Sequence, residues 1–309
     1  MHIPNAMLQG PICPVTAVVS AIAVIVAAFK AVRSDNKPTA ARFGAITALI
    51  FAGQMMNFPI QDGTSGHLIG GVLASALLGT PFGVLAMALV VTIQCLVFSD
   101  GGFTVLGANV LNMAVIGAGL GGIIRTYILK IYPVKIYSVK SSQYMAGLGL
   151  TAWLSVMLAA LACSIELAVS GTIAFPVVIG AMLGTHALIG IGEGWITVAA
   201  CFAFAQEPTG VSRRRSVTAP LVAAGVIATM LSPFASGFPD GLEWVAEKYQ
   251  FLHESAPAFV GFFPDYTVPS ISNEMLTTGL AGLVGVIVTF FIALGVAKLF
   301  HKPGRMETT

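Results

Sequence analysis

Charge is scarce in this chain. Asp, Glu, Lys and Arg make up 9% of its 309 residues, against about 25% in an ordinary soluble domain. That shortage excludes a water-facing surface over most of the protein, and hydrophobic residues, at 56%, take its place. Cysteine is rarer still. Of the four present, Cys95, Cys163 and Cys201 lie inside apolar runs, and no C-x-x-C spacing occurs, so neither a disulfide framework nor a zinc site follows. There is no Walker-type phosphate loop, no H-E-x-x-H and no nucleophile elbow. An enzyme is not expected, and any ATP hydrolysis belongs to a separate chain. The net charge of +2 says little by itself, and no nucleic-acid partner is expected. No Lys or Arg precedes Lys30, so the basic start of a secretory signal is missing. The first apolar run is therefore expected to remain and to insert with its N-terminus outside.

What the chain does have is long apolar runs, which make it an all-α membrane protein with about nine transmembrane helices. The spans read as Val15 to Val32, Arg42 to Phe58, Leu68 to Leu78, Phe82 to Phe98, Val105 to Ile131, Met145 to Val169, Ile173 to Ala205, Ser216 to Ala235 and Leu276 to Phe300. The third is short for a straight crossing. The seventh carries Pro176, Gly180, Gly184, Gly190 and Gly192, which predicts a kink or break. With the N-terminus outside and sides alternating, 14 of the 15 basic residues fall inside and only Lys248 outside, as the positive-inside rule requires. The C-terminus is then cytoplasmic. A basic linker, 209–215, separates a seven-helix unit (1–208) from a two-helix unit (216–309) with an outside loop from Ser236 to Asn273.

The first two residues, Met1-His2, form a special chemical object. The terminal amine, the His2 amide nitrogen and the His2 imidazole can all reach one ion, closing a five-membered and a six-membered ring. A second imidazole, from His67 in Gly63-Thr64-Ser65-Gly66-His67, would complete an all-nitrogen square of the kind that suits Ni(II) and Cu(II). Thr64 and Ser65, beside His67, and Asn109 and Asn112, three residues apart near the outer end of the fifth span, are read as groups that orient the ligating rings. The two Asn side chains also suit ordinary hydrogen bonds between membrane helices. His186, Glu193 and Glu166 are ionisable groups in apolar spans and so face a bundle interior or a cavity. His186 and Glu193 lie two turns apart on one helix face and are read as structural hydrogen-bonders or as a step on a release path. Small residues recur four apart at Ala41/Ala45, Gly44/Ala48 and Ala48/Ala52, a spacing that lets another helix, internal or from a partner, pack closely.

Met1-His2-Ile3-Pro4, Gly63-Thr64-Ser65-Gly66-His67-Leu68, the run Gly101-Gly102-Phe103-Thr104-Val105-Leu106-Gly107-Ala108-Asn109-Val110-Leu111-Asn112-Met113-Ala114, and His186 followed by Ile191-Gly192-Glu193 resemble the CbiM/NikM family. These are the substrate-capture (S) components of energy-coupling-factor transporters for cobalt and nickel. Pro239-Asp240-Gly241-Leu242-Glu243, between the last two spans, resembles the CbiN/NikN small subunit, or PDGLE domain. The resemblance implies an M–N fusion whose first helix carries the N-terminus into a binding cavity. Ni(II) or Co(II) would be held there by the Met1 amine, the His2 amide nitrogen and ring, and the His67 ring. It also implies a transmembrane coupling (T) component and ABC-type ATPase subunits as partners in the cell membrane, and the metal as cargo rather than cofactor. The chain departs from the family pattern at Asn5-Ala6, where an acidic residue and a glycine are usual. Two other readings are an S component for an organic vitamin, and a structural membrane subunit that binds nothing.

Overall fold

The computed structural model describes residues 1–61, 63–131, 141–204, 215–251 and 259–300. Asp62, His253, most of the 209–215 linker and the basic residues Lys135, Lys140, Lys302 and Arg305 lie outside them. The chain is helical almost throughout: α1 (Ile12–Val32), α2 (Ala40–Gln54), α3 (Gly71–Leu78), α4 (Thr80–Phe98), α5 (Leu106–Val110), a π-helical stretch (Leu111–Leu120), α6 (Gly121–Ile131), α7 (Ser142–Val169), α8 (Phe175–Phe204), α9 (Arg215–Val226), α10 (Gly241–Lys248) and α11 (Glu274–Leu299).

All nine apolar segments contain helix, but among the described residues seven helices are long and apolar enough to cross a bilayer. The other two are α2 and α3. At about 1.5 Å per residue they reach only about 22 Å and 12 Å. Between them lies an antiparallel pair of short strands, β1 (Asn57–Pro59) and β2 (Ser65–His67), with Asn57 opposite His67. Neither triplet alternates in polarity, so nothing in the pattern announces a strand. Its non-helical backbone is tolerated because β2 is wholly buried in protein.

The small-residue stripe of α2 is an internal contact. A Cβ on Gly44 would lie 2.9 Å from the Phe290 carbonyl oxygen of α11, so the C-terminal helix lies directly on that face. Every residue from Arg42 to Ala52 is buried. The expected break in the seventh span is not there. Pro176 sits in the first turn of α8, where its missing N–H costs nothing. Two of the glycines serve packing: a Cβ on Gly190 would meet the Trp153 ring at 2.8 Å, and one on Gly192 the Phe58 ring at 2.7 Å. The irregularity falls instead in the fifth span, whose π-helical stretch packs against α3. There a Cβ on Gly71 would stand 2.4 Å from the Gly117 carbonyl carbon. At the other edge α1 turns Val15, Val18, Ile22, Ile25 and Phe29 outward. An apolar outward face of this kind is suited to lipid.

Candidate metal centre

A chain terminus usually frays, yet here it is buried and tied down by hydrogen bonds. Met1 is 4% exposed, His2 8% and Ile3 0%. The Ile3 N–H donates to Asn109 Oδ1 at 2.8 Å, Asn109 Nδ2 donates to the Ile3 carbonyl at 3.1 Å, and the Gly102 N–H donates to the same carbonyl at 2.8 Å. A Cβ on Gly102 would stand 2.5 Å from the Asn5 nitrogen, so only glycine lets the two strands of backbone approach. Asn109 thus pins the residue after His2. Asn112 is turned away and donates to Glu166 at 2.7 Å; three residues apart, the two amides serve different partners.

The departure at Asn5-Ala6 has a structural consequence. Ala6 adopts φ +65°, a left-handed conformation that costs an L-residue about 1–2 kcal/mol and glycine almost nothing. Ala6→Gly is expected to stabilise the metal-free protein by about 1 kcal/mol, read as a raised melting temperature in detergent.

The Met1 amine contacts His67 Nε2 and lies 3.0 Å from Asp240 Oδ2. The His2 and His67 rings stack, with centroids 5.2 Å apart and planes 13° off parallel. Hydrogen-bond logic fixes which nitrogen the His67 ring offers. His67 Nδ1 is 3.0 Å from the Leu68 carbonyl. A carbonyl only accepts, so Nδ1 carries the proton and Nε2 presents its lone pair to Met1. The Tyr266 hydroxyl donates to Asp100 Oδ2 at 2.6 Å and accepts from Gln94 Nε2 at 3.2 Å. Gln94 therefore turns Oε1 to His2 Nε2, 3.1 Å away, so each His2 nitrogen faces an acceptor, Gln94 at Nε2 and Asp100 at Nδ1, and the single ring proton has a place at either. Nδ1 is the atom that closes a six-membered ring with the His2 amide nitrogen, and with the ring proton on Nε2, held by Gln94 Oε1, its lone pair is free for a cation. It lies 3.1 Å from Asp100 Oδ1, where a cation would be welcome. Burial pushes the His2 ring down to about 4, against the opposing pull of Asp100, so at neutral pH the ring is uncharged and able to ligate. Among the described residues no three His, Cys, Asp or Glu side chains form a ready-made cage.

Among the described residues, the hydrogen bonds of Thr64 and Ser65 do not go to the imidazoles. They hold the Pro-Asp-Gly-Leu-Glu segment: Ser65 N–H donates to the Pro239 carbonyl at 2.8 Å, Ser65 Oγ to the Phe238 carbonyl at 2.8 Å, and Thr64 Oγ1 to the Pro239 carbonyl at 3.3 Å. Asp240 caps α10, its Oδ1 accepting from the Leu242 and Glu243 N–H groups, while Glu243 reaches back to the Asp240 N–H. That leaves Oδ2 free for the Met1 amine. Burial alone would raise the Asp240 carboxyl, but the amine, His67 and the Glu243 N–H outweigh it and hold it well below the usual carboxylate range. Glu243 is pushed up, by the Asp240 charge first and by burial second.

His186 and Glu193 share the buried face of α8, but they do not pair. The Glu193 carboxylate accepts from the Ile69 and Gly70 N–H groups at 2.6 and 2.8 Å. This fixes the chain between His67 and α3. His186 donates from Nδ1 to the Met182 carbonyl at 2.8 Å. Above the nitrogens a cavity of about 340 Å³ is lined by His2, His67, Asp100, Asp240, Glu243 and Asp265. Its surplus of carboxylates draws cations. Sequence reading missed Gln94, Asp100, Asp240 and Tyr266 as parts of this site. Only Asp240 carried a local signal, the D-x-x-E of a capping box, and that signal marks a helix start, not an amine's partner.

These features agree with comparisons to known proteins. The family model described as "Cobalt uptake substrate-specific transmembrane region" (CbiM) matches residues 2–209, and the PDGLE domain matches residues 214–302. A putative fused nickel transport protein NikMN of Archaeoglobus fulgidus is 35% identical, covering 96% of this chain and 97% of that protein. The fused nickel transport protein NikMN of Rhodobacter capsulatus is 31% identical, covering 98% of this chain and 100% of that one. A crystal structure of a truncated transition metal transporter superposes with a TM-score of 0.57 at 30% identity, over 65% of this chain and 97% of that one. The chain, a multi-pass membrane protein, therefore belongs to the CbiM family of nickel and cobalt transport proteins and carries a PDGLE domain behind its CbiM region.

Proposed function

We propose that this chain is the substrate-capture component of an energy-coupling-factor transporter. It binds Ni(II) or Co(II) from outside through the Met1 amine, the His2 amide nitrogen, His2 Nδ1 and His67 Nε2. The observation that carries the reading is the convergence of the Met1 amine on His67 Nε2, with the His67 ring proton committed to the Leu68 carbonyl and Gln94 Oε1 placed to take that of His2. The hydrated ion enters the acidic cavity, sheds water and displaces one proton from the amine and one from the His2 amide. Asn109, Gln94 and the Tyr266–Asp100 pair hold His2 in position. Residues 1–208 form the capture unit, 209–215 a cytoplasmic linker and 216–309 the PDGLE unit, with the N-terminus extracytoplasmic and the C-terminus cytoplasmic. A transmembrane coupling protein and ATPase subunits supply the work of release.

Metal titration of the detergent-purified chain, read by elemental analysis and thermal stabilisation, tests this. One nickel or cobalt ion per chain is expected, with no stabilisation by organic vitamins. Binding weakens as pH falls from about 7.5 to about 5, with about two protons released per ion, because amine and amide must both deprotonate. The His2 ring, neutral down to about pH 4, contributes no proton over that interval. Failure to bind either metal, or binding without proton release, would overturn the assignment.

A further inference from the structure

The first turn of α10 packs against α8: a Cβ on Gly241 would meet Ile189 at 2.7 Å and Thr185 at 3.1 Å. Beside that contact a cavity of about 220 Å³ opens between the two helices, with Trp244, Lys248 and Tyr249 on one wall and Gly180, Gly184 and Thr185 on the other. Lys248 Nζ lies 4.5 Å from the centroid of the Trp244 ring and 6.0 Å from that of Tyr249. Ring faces hold an ammonium in place without neutralising it, and among the described residues Lys248 makes no ion pair. With the orientation put forward above it is also the single exception to the positive-inside pattern. The cavity thus offers a held positive charge to an anionic group. It is smaller than the roughly 300–1,000 Å³ that takes a whole small molecule, so it fits one end of a longer one.

The surface of α8 has room for the rest. A Cβ on Gly180 or Gly184 would meet nothing within 4 Å. Each glycine weakens a helix by about 1 kcal/mol against alanine, and no neighbour within this chain requires either. Further along, Gly190, Ile191, Gly194 and Trp195 border a second groove of about 440 Å³ against Trp153 of α7. All three tryptophans of the chain therefore line one hollow or the other. The 30 residues of α8 reach about 45 Å, more than a hydrocarbon core of about 30 Å, which leaves its first turns among the headgroups. From Gly180 to Ile191 is about 16 Å, close to half that core and so to the depth of one leaflet.

We propose that α8 and α10 together bind one membrane phospholipid, its phosphate on Lys248 and one acyl chain laid over Gly180 and Gly184 towards Ile191. The lipid site is separate from the metal centre and stands or falls without it.

Native mass spectrometry of the delipidated chain, with phosphatidylglycerol added, tests this. One lipid per chain is expected to remain bound when the detergent is stripped. Lys248→Gln should weaken that binding on the order of tenfold, through loss of the charged partner. Gly184→Leu, which fills the bed of the acyl chain, should weaken it comparably. Both positions are exposed, and the nickel affinity of both variants should match that of the wild type. Diacylglycerol, which lacks the phosphate, should bind the wild type as poorly as phosphatidylglycerol binds Lys248→Gln. Inorganic phosphate at millimolar concentration should leave the bound lipid in place. Equal retention of the two lipids, or full retention in Lys248→Gln, overturns the proposal. Displacement by inorganic phosphate also overturns it and makes Lys248 a site for the free anion.

Discussion

A chain extended by four residues ahead of Met1 is expected to lose nickel and cobalt binding by about a thousandfold or more, roughly 4 kcal/mol. The extension turns the terminal amine into an amide. The five-membered ring then loses its anchor, and without that anchor the His2 amide has no reason to give up its proton. There is also no room. The amine already sits 3.0 Å from Asp240 and against His67, in a residue 4% exposed. The length of the extension matters chemically, because a single added residue would put the imidazole at position three, which makes a new four-nitrogen chelate of its own. His2→Ala is the companion variant and is expected to fall equally far. Isothermal titration at pH 7.5 checks both, and retained high-affinity binding in the extended chain would rule out the terminal chelate.

Asp240→Asn is expected to separate stability from affinity. Breaking a buried ion pair by removing one partner costs about 3–5 kcal/mol, and the Met1–Asp240 side chains are 2% and 11% exposed. Asparagine keeps the α10 cap nearly intact, whereas Asp240→Ala loses about 1 kcal/mol more. Affinity should move less than about tenfold. The ammonium that Asp240 faces without metal carries +1, and a divalent ion bound to one deprotonated amide also carries +1, so the lost attraction cancels between the two states. Thermal melts of metal-free and loaded protein should fall together. A hundredfold weaker dissociation constant would instead make the carboxylate a direct ligand.

The pH dependence carries a definite sign. Asp240 is held below the usual carboxylate range, so its contribution is complete above about pH 4, the unfolded value. It is lost as pH falls through the lowered folded value, and Asp240→Asn removes that loss. His2 acts over a different interval. Its folded value, about 4, lies below the unfolded 6.5, so the unfolded chain binds more protons between them. The metal-free protein therefore loses stability as pH falls across that range.

Much of this could be read along the chain because it depends on neighbours in sequence. Membrane residence follows from apolar runs and scarce charge. The proposed three-nitrogen chelate is drawn from atoms of two adjacent residues. The capping box in Asp240-Gly241-Leu242-Glu243 follows from a spacing of three. What needed the tertiary structure is whatever joins residues far apart. The two acceptors at the His2 ring, Gln94 and Asp100, are tied together through Tyr266. The amine's counter-charge comes from a loop more than two hundred residues away, carried in by Ser65. Asn109 and Asn112 look alike in sequence, but one holds the terminus and the other a glutamate of α7. A hydrogen bond is short and directional, so its partner is decided by which backbones packing brings within about 3 Å, and no local pattern encodes that.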